Sequence, residues 1–187
     1  MKNIYSHLIN KETSGEGLVL ATVTAVSGST PQKPGSSALF QCGRLVAGTV
    51  GGGIIENRVA TYAATCYERK ESALLQFRLD KETDDPEEAV CGGVITILVD
   101  SNPLEHVQTF REMLQSIQEG RPGVLVTRVV PWNDSQVLIK RCWANGSCEL
   151  VLPGDDRERI KKIVGQILSS GNRTGYSHLD VTIPGEK

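Results

Sequence analysis

The first strong apolar run of the chain, Leu18-Val19-Leu20-Ala21-Thr22-Val23-Thr24-Ala25-Val26, ends abruptly at Ser27-Gly28-Ser29-Thr30-Pro31. A nearly continuous run of β-branched and apolar residues reads as a strand buried on both faces. Two shorter runs, Ser37 to Gln41 and Arg44 to Val50, meet at Cys42-Gly43 and predict a hairpin. Gly51-Gly52-Gly53 then breaks the second strand. Behind it Ile55, Val59, Ala63 and Cys66 recur at four, four and three residues, the stripe of a helix running to about Tyr67. A strand over Ala73 to Leu79 follows. The acidic, prolyl loop from Asp80 to Glu88 delivers Cys91-Gly92-Gly93, and a further apolar strand runs from Val94 to Val99.

Asn102-Pro103-Leu104-Glu105 predicts a helix start, with an Asn cap, a first-turn proline and an acid near the positive end. Leu104, Val107, Phe110, Leu114 and Ile117 form its apolar face, and Gly120 closes it. Strands over Gly123 to Val130 and Gln136 to Trp143 come next. Asn145-Gly146, the favoured pair for a tight hairpin, leads into Cys148 to Leu152. Val137, Ile139, Trp143, Cys148, Leu150 and Leu152 then share the core face. Cys142 and Cys148 fall on opposite faces, which opposes a disulfide between them. A last helix starts near Pro153-Gly154-Asp155, buries Ile160, Ile163, Val164, Ile167 and Leu168, and stops at Gly171. The order predicts an α/β or α+β domain with a mixed β-sheet and about three helices over residues 1–171. Residues 172–187 form a weakly patterned tail, and no glycine fingerprint of a Rossmann domain appears from Gly120 onward.

Charge removes two function classes. A formal net charge of −2 gives no electrostatic footprint for nucleic acid or for an anionic membrane surface. An anionic ligand must therefore be held by local geometry. Five cysteines, an odd number with no Cys-x-x-Cys pair, argue against a complete disulfide framework and a closed zinc site. The first residues lack the apolar core of a signal peptide, and no stretch approaches the roughly 18 apolar residues of a membrane helix. The chain reads as a reduced, cytoplasmic protein. His7, His106 and His178 are scattered, and His106 falls off the apolar stripe of its helix.

Three glycine-rich turns carry the candidate chemistry. Turn one, Ser27 to Gly35, leaves the end of a buried strand and offers Gly28 amides, the hydroxyls of Ser29 and Thr30, and Lys33. As a plain surface loop the same residues would also be ordinary. Turn two, Gly48-Thr49-Val50-Gly51-Gly52-Gly53, lies between a strand and a helix, so its amides suit a phosphate. It matches neither the dinucleotide fingerprint nor a P-loop. Glu56 behind it is either a helix-end acid or a carboxylate accepting two N–H donors from a heterocycle. Turn three, Val90-Cys91-Gly92-Gly93, sets a cysteine beside two glycines, where a thiolate would be a soft metal ligand or a sulfur carrier. Cys66 and Cys148 read as core residues.

Ala21-Thr22-Val23 through Val26-Ser27-Gly28-Ser29-Thr30-Pro31-Gln32-Lys33-Pro34-Gly35, then Gly43-Arg44-Leu45-Val46-Ala47-Gly48-Thr49-Val50-Gly51-Gly52-Gly53-Ile54-Ile55-Glu56, then Val90-Cys91-Gly92-Gly93 together resemble the N-terminal domain of the XdhC/CoxI family. These are accessory proteins of xanthine dehydrogenase and related molybdenum hydroxylases. The resemblance implies a molybdenum-cofactor chaperone that supports cofactor sulfuration and passes the cofactor to the apo-hydroxylase, with a cysteine desulfurase as a further partner. It implies cofactor contacts at Gly28, Ser29, Thr30, Lys33, Gly51, Gly52, Gly53, Glu56, Gly92 and Gly93, with Cys91 as molybdenum ligand or reactive thiol. Ile54 stands where many members carry Cys, so a two-cysteine clamp is not implied. A different class, a small sulfurtransferase or hydrolase with Cys91 as nucleophile, fits the same turn. An exposed strand edge would suit a homodimer.

Overall fold

The structure, a computed structural model, describes residues 4–12, 17–79, 92–133, 135–145 and 156–170. Cys91, the acidic loop, the hairpin arm from Gly146 to Leu152 with Cys148, the start of the last helix at Pro153-Gly154-Asp155, and the tail lie outside these residues.

In chain order the elements are α1 (Ile4–Asn10), β1 (Leu18–Gly28), β2 (Ser37–Gln41), β3 (Arg44–Gly48), α2 (Gly53–Arg69), β4 (Ala73–Arg78) and β5 (Gly93–Asp100). A 3₁₀ turn at Pro103–His106 leads into α3 (Val107–Gln118), followed by β6 (Val124–Pro131), β7 (Val137–Ala144) and α4 (Asp156–Ser169). The class is the expected one, with four helices among the described residues and sheets of five and two strands. The larger sheet runs β3-β2-β1-β5-β4. All described ladders are antiparallel, so the parallel pairing of a mixed sheet does not occur among them.

The doubly buried β1 that the apolar run predicts has a direct cause. Val19, Ala21 and Val23 pack with Phe40, Ile95 and Ile97 against Ile55, Val59, Ala63 and Cys66 of α2. Leu18 and Leu20 alternate to the other face, where Leu39, Leu8 of α1, and Phe110 and Met113 of α3 close a second core. Helices thus cover both faces of an antiparallel sheet. Each fully buried apolar side chain contributes roughly 1.5–3 kcal/mol. Burial of Cys66 pushes its thiol pKa up, and Glu71 adds to this against a smaller opposing effect of Arg69.

Two expectations change around α3. Asn102 makes no side-chain cap; a 3₁₀ turn intervenes, and the Asn102 amide donates instead to Asp100 Oδ1 at 2.9 Å. The buried face of α3 is Phe110, Met113 and Ser116, while Ile117 is 54% exposed. The reason lies in the β6–β7 ribbon: Trp143 Nε1 donates to Ser116 Oγ at 2.9 Å and draws that position inward. Gly120 ends the helix in a left-handed conformation, as expected. In α4 Val164 is buried and Ile160, Ile163, Ile167 and Leu168 are half-buried, the predicted face. Among the described residues no helix is long and apolar enough to cross a membrane.

Candidate functional site

The three glycine turns meet at one end of the larger sheet. Gly28, the last residue of β1, pairs with Gly93, the first residue of β5. A Cβ on Gly93 would stand 2.3 Å from the Ser29 carbonyl oxygen and 2.7 Å from that of Ser27. One on Gly28 would stand 2.8 Å from the Gly92 oxygen. Turns one and three are therefore sealed backbone against backbone, which only glycine permits. Leu79 at the end of β4 joins them, its amide donating to Gly93 O at 2.8 Å. Turn two abuts the same place, because the Cβ position of Gly51 lies 3.4 Å from Pro31 Cγ.

Gly48 is closed in the same way, its Cβ position 2.1 Å from the Ser37 carbonyl oxygen, whereas three other glycines behave differently. Gly52 and Gly53 have φ of 72° and 38°, and nothing stands within 4 Å of either Cβ position. Gly92 is also open there. A ligand could approach this backbone closely. The N-cap of α2 is Gly52, which has no side chain to cap the first amides of the helix, and a helix N-terminus carries partial positive charge.

Not all of the turn-two amides are open. Thr49 Oγ1 donates to Glu56 Oε1 at 2.5 Å, and the same oxygen accepts from Gly52 N at 3.1 Å and Val50 N at 3.4 Å. Thr49 Oγ1 in turn accepts from Gly51 N at 3.4 Å. Glu56 therefore holds its own loop through Oε1, and the amides of Gly51 and Gly52 are occupied. In turn one the Thr30 hydroxyl donates within the loop to Gln32 O at 2.9 Å. Ser29 and Lys33 are exposed, and the Lys33 carbonyl accepts from Ser36 N at 3.1 Å. Among the described residues the Lys33 ammonium makes no bond to turn two or three. Ile54 is 40% exposed in the first turn of α2. Among the described residues no group of three or more His, Cys, Asp or Glu could hold a metal ion. Cys91 lies outside them, next to Gly92.

A polar cluster that the sequence pattern did not expose sits at the other end of β5. Arg141 of β7 pairs through Nη1 with Asp100 Oδ2, with side-chain exposures of 2% and 3%. Arg141 Nη1 lies 3.5 Å from His106 Nδ1. A guanidinium only donates, so Nδ1 is the acceptor and the neutral imidazole carries its proton on Nε2, which is buried with no hydrogen-bond partner among the described residues. Burial first, and Arg141 second, hold the His106 pKa below its ordinary value. One signal for Arg141 was available, since the alternation Val137, Ile139, Arg141, Trp143 places it on the inward face of its strand. The eight residues of β5 separate Asp100 from Gly93 by roughly 23 Å at about 3.3 Å per residue. This cluster ties the ribbon to the sheet and is remote from the turns.

Residues 12–78 match the model of the XdhC and CoxI family. The match takes in turns one and two and stops before Gly92-Gly93. Among solved structures the chain is similar to a protein from Bacillus halodurans described as a xanthine dehydrogenase, with a TM-score of 0.63 and 22% identity. That likeness covers 84% of this chain and 48% of the other, so this chain spans about half the length of that protein. At this identity the likeness speaks for the fold. No curated protein matches.

Proposed function

From the premise that residues 12–78 are an XdhC and CoxI family segment, we propose that this chain is an accessory protein of a xanthine dehydrogenase-type molybdenum hydroxylase. Its three-turn end holds molybdenum cofactor as cargo, supports its sulfuration with a cysteine desulfurase, and delivers it to the apo-enzyme. The observation that carries this reading is the convergence of Gly28, Gly51 and Gly93, with the open backbone of Gly52, Gly53 and Gly92 around them. Amides of Gly53 and the first turn of α2 suit the cofactor phosphate. The Ser29 hydroxyl and the Lys33 ammonium suit its polar periphery from turn one. Cys91, a soft donor, suits the metal.

The test is co-elution of the purified protein with molybdenum cofactor released from a molybdenum enzyme. Retention by the native chain, lost in Gly92→Val at unchanged thermal midpoint, is expected, because no described atom stands within 4 Å of the Gly92 Cβ position. A native chain that never retains the cofactor overturns the proposal.

A further inference from the structure

Thr49, which belongs to no apolar stripe and is exposed, sits at the centre of the only described contacts that tie turn two to the helix side chain behind it. Its hydroxyl donates to Glu56 Oε1 at 2.5 Å and accepts from Gly51 N at 3.4 Å. Gly52 N reaches the same carboxylate oxygen at 3.1 Å. The hydroxyl is therefore a relay, passing one hydrogen bond from the loop amide to the carboxylate. Three consecutive amides, those of Val50, Gly51 and Gly52, are tied to one rigid point on α2. Val50 is anchored in the core and Thr49 N donates to Ser37 O at 3.0 Å, but Gly51 at φ 150° and Gly52 at φ 72° have no side chains of their own, and the relay supplies the described bonds of their amides.

We infer that Thr49 is a positioning residue: together with Glu56 it fixes the Gly51–Gly52 backbone in the conformation that leaves the backbone of Gly52 and Gly53 open to a ligand. The inference rests on the proposed cofactor-binding reading of this end. It also divides the two roles that Glu56 has in sequence terms. Oε1 is committed to the loop, and Thr49 keeps it there, so the carboxylate acts on the ligand through the shape of the turn.

Three variants and two readouts decide it. Thr49→Val removes the hydroxyl at nearly constant shape; Thr49→Ser restores it. Thr61→Val removes a hydroxyl of α2 that bonds only the Asn57 carbonyl among the described residues, at 3.2 Å, and serves as control. Amide hydrogen exchange reads the turn, and retention of released molybdenum cofactor reads the site. Expected for Thr49→Val are at least tenfold faster exchange at Gly51 and Gly52 and at least tenfold weaker retention. Thr49→Ser and Thr61→Val should match the native protein in both. Unchanged exchange in Thr49→Val overturns the relay whatever the cofactor does. Faster exchange with unchanged retention overturns the positioning role. Should the native chain retain no cofactor, the proposed function fails and the positioning role with it, while exchange still reports whether the relay exists.

Discussion

Replacing Arg141 by Met tests the buried cluster that joins the ribbon to the sheet. Met keeps most of the side-chain volume over Phe110, whose ring centroid lies 5.7 Å from the guanidinium carbon, so little cavity opens. What is lost is the partner of Asp100, a carboxylate with a side-chain exposure of 3%. Removing one member of a buried ion pair costs about 3–5 kcal/mol, because the other charge stays out of water. Asp100 keeps one hydrogen bond, from the Asn102 amide at 2.9 Å, which argues for the lower end of that range. With a urea slope of about 1–3 kcal/mol/M, the unfolding midpoint at pH 7 should fall by at least about 1 M. Far-ultraviolet circular dichroism in urea measures it. Adding Asp100→Asn retains the acceptor for Asn102 and removes the charge, so the double variant should be more stable than Arg141→Met alone. Cofactor retention should not change, since the pair is remote from the turns. A loss below about 1 kcal/mol at constant slope, or a double variant no better than the single, would refute the reasoning.

His106 is held neutral by burial and by Arg141 and Lys140, against Asp100 and Glu105; its folded pKa is lowered, so its stabilisation is present above about pH 6.5 and lost as pH falls through the folded value. A urea midpoint that declines from pH 7 to 5 in the native chain, and declines less in His106→Gln, is expected. Gly93→Ala should destabilise the domain by about 1–3 kcal/mol through collision with the Ser29 carbonyl, while Gly92→Ala, with open space at its Cβ position, should be near neutral by thermal melting. Cys66→Ser should cost about 1–3 kcal/mol through a buried hydroxyl and leave cofactor retention intact; Cys91→Ser should show the reverse, and Cys91 should alkylate before Cys66.

Local patterns were legible where one element buries against one neighbour. The stripe Ile55, Val59, Ala63, Cys66 is the buried face of α2, and β1, the β2–β3 hairpin, β4 and β5 stand where their apolar runs place them. Legibility failed where distant elements meet. Ser116 is inside because Trp143, 27 residues away, bonds it, and no periodicity in α3 carries that information. Arg141 is buried because Asp100, 41 residues away, supplies its ion-pair partner, and His106 packs beside that pair.

The candidate site shows the same division at finer grain. Five glycines of the three turns look alike in the sequence but fall into two physical classes. Gly28 and Gly93 are glycine because β1 and β5 close on each other, and a Cβ would strike backbone that cannot give way. Packing accounts for them fully, so they need no ligand to explain them. At Gly52, Gly53 and Gly92 no described atom stands within 4 Å of the Cβ position. For Gly52 and Gly53 the left-handed backbone requires glycine, and Thr49 and Glu56 hold the turn around Gly52 in place. For Gly92 the described structure supplies no such requirement. It is therefore the position where a small side chain tests the approach of a ligand most directly, since no described atom stands within 4 Å of its Cβ position.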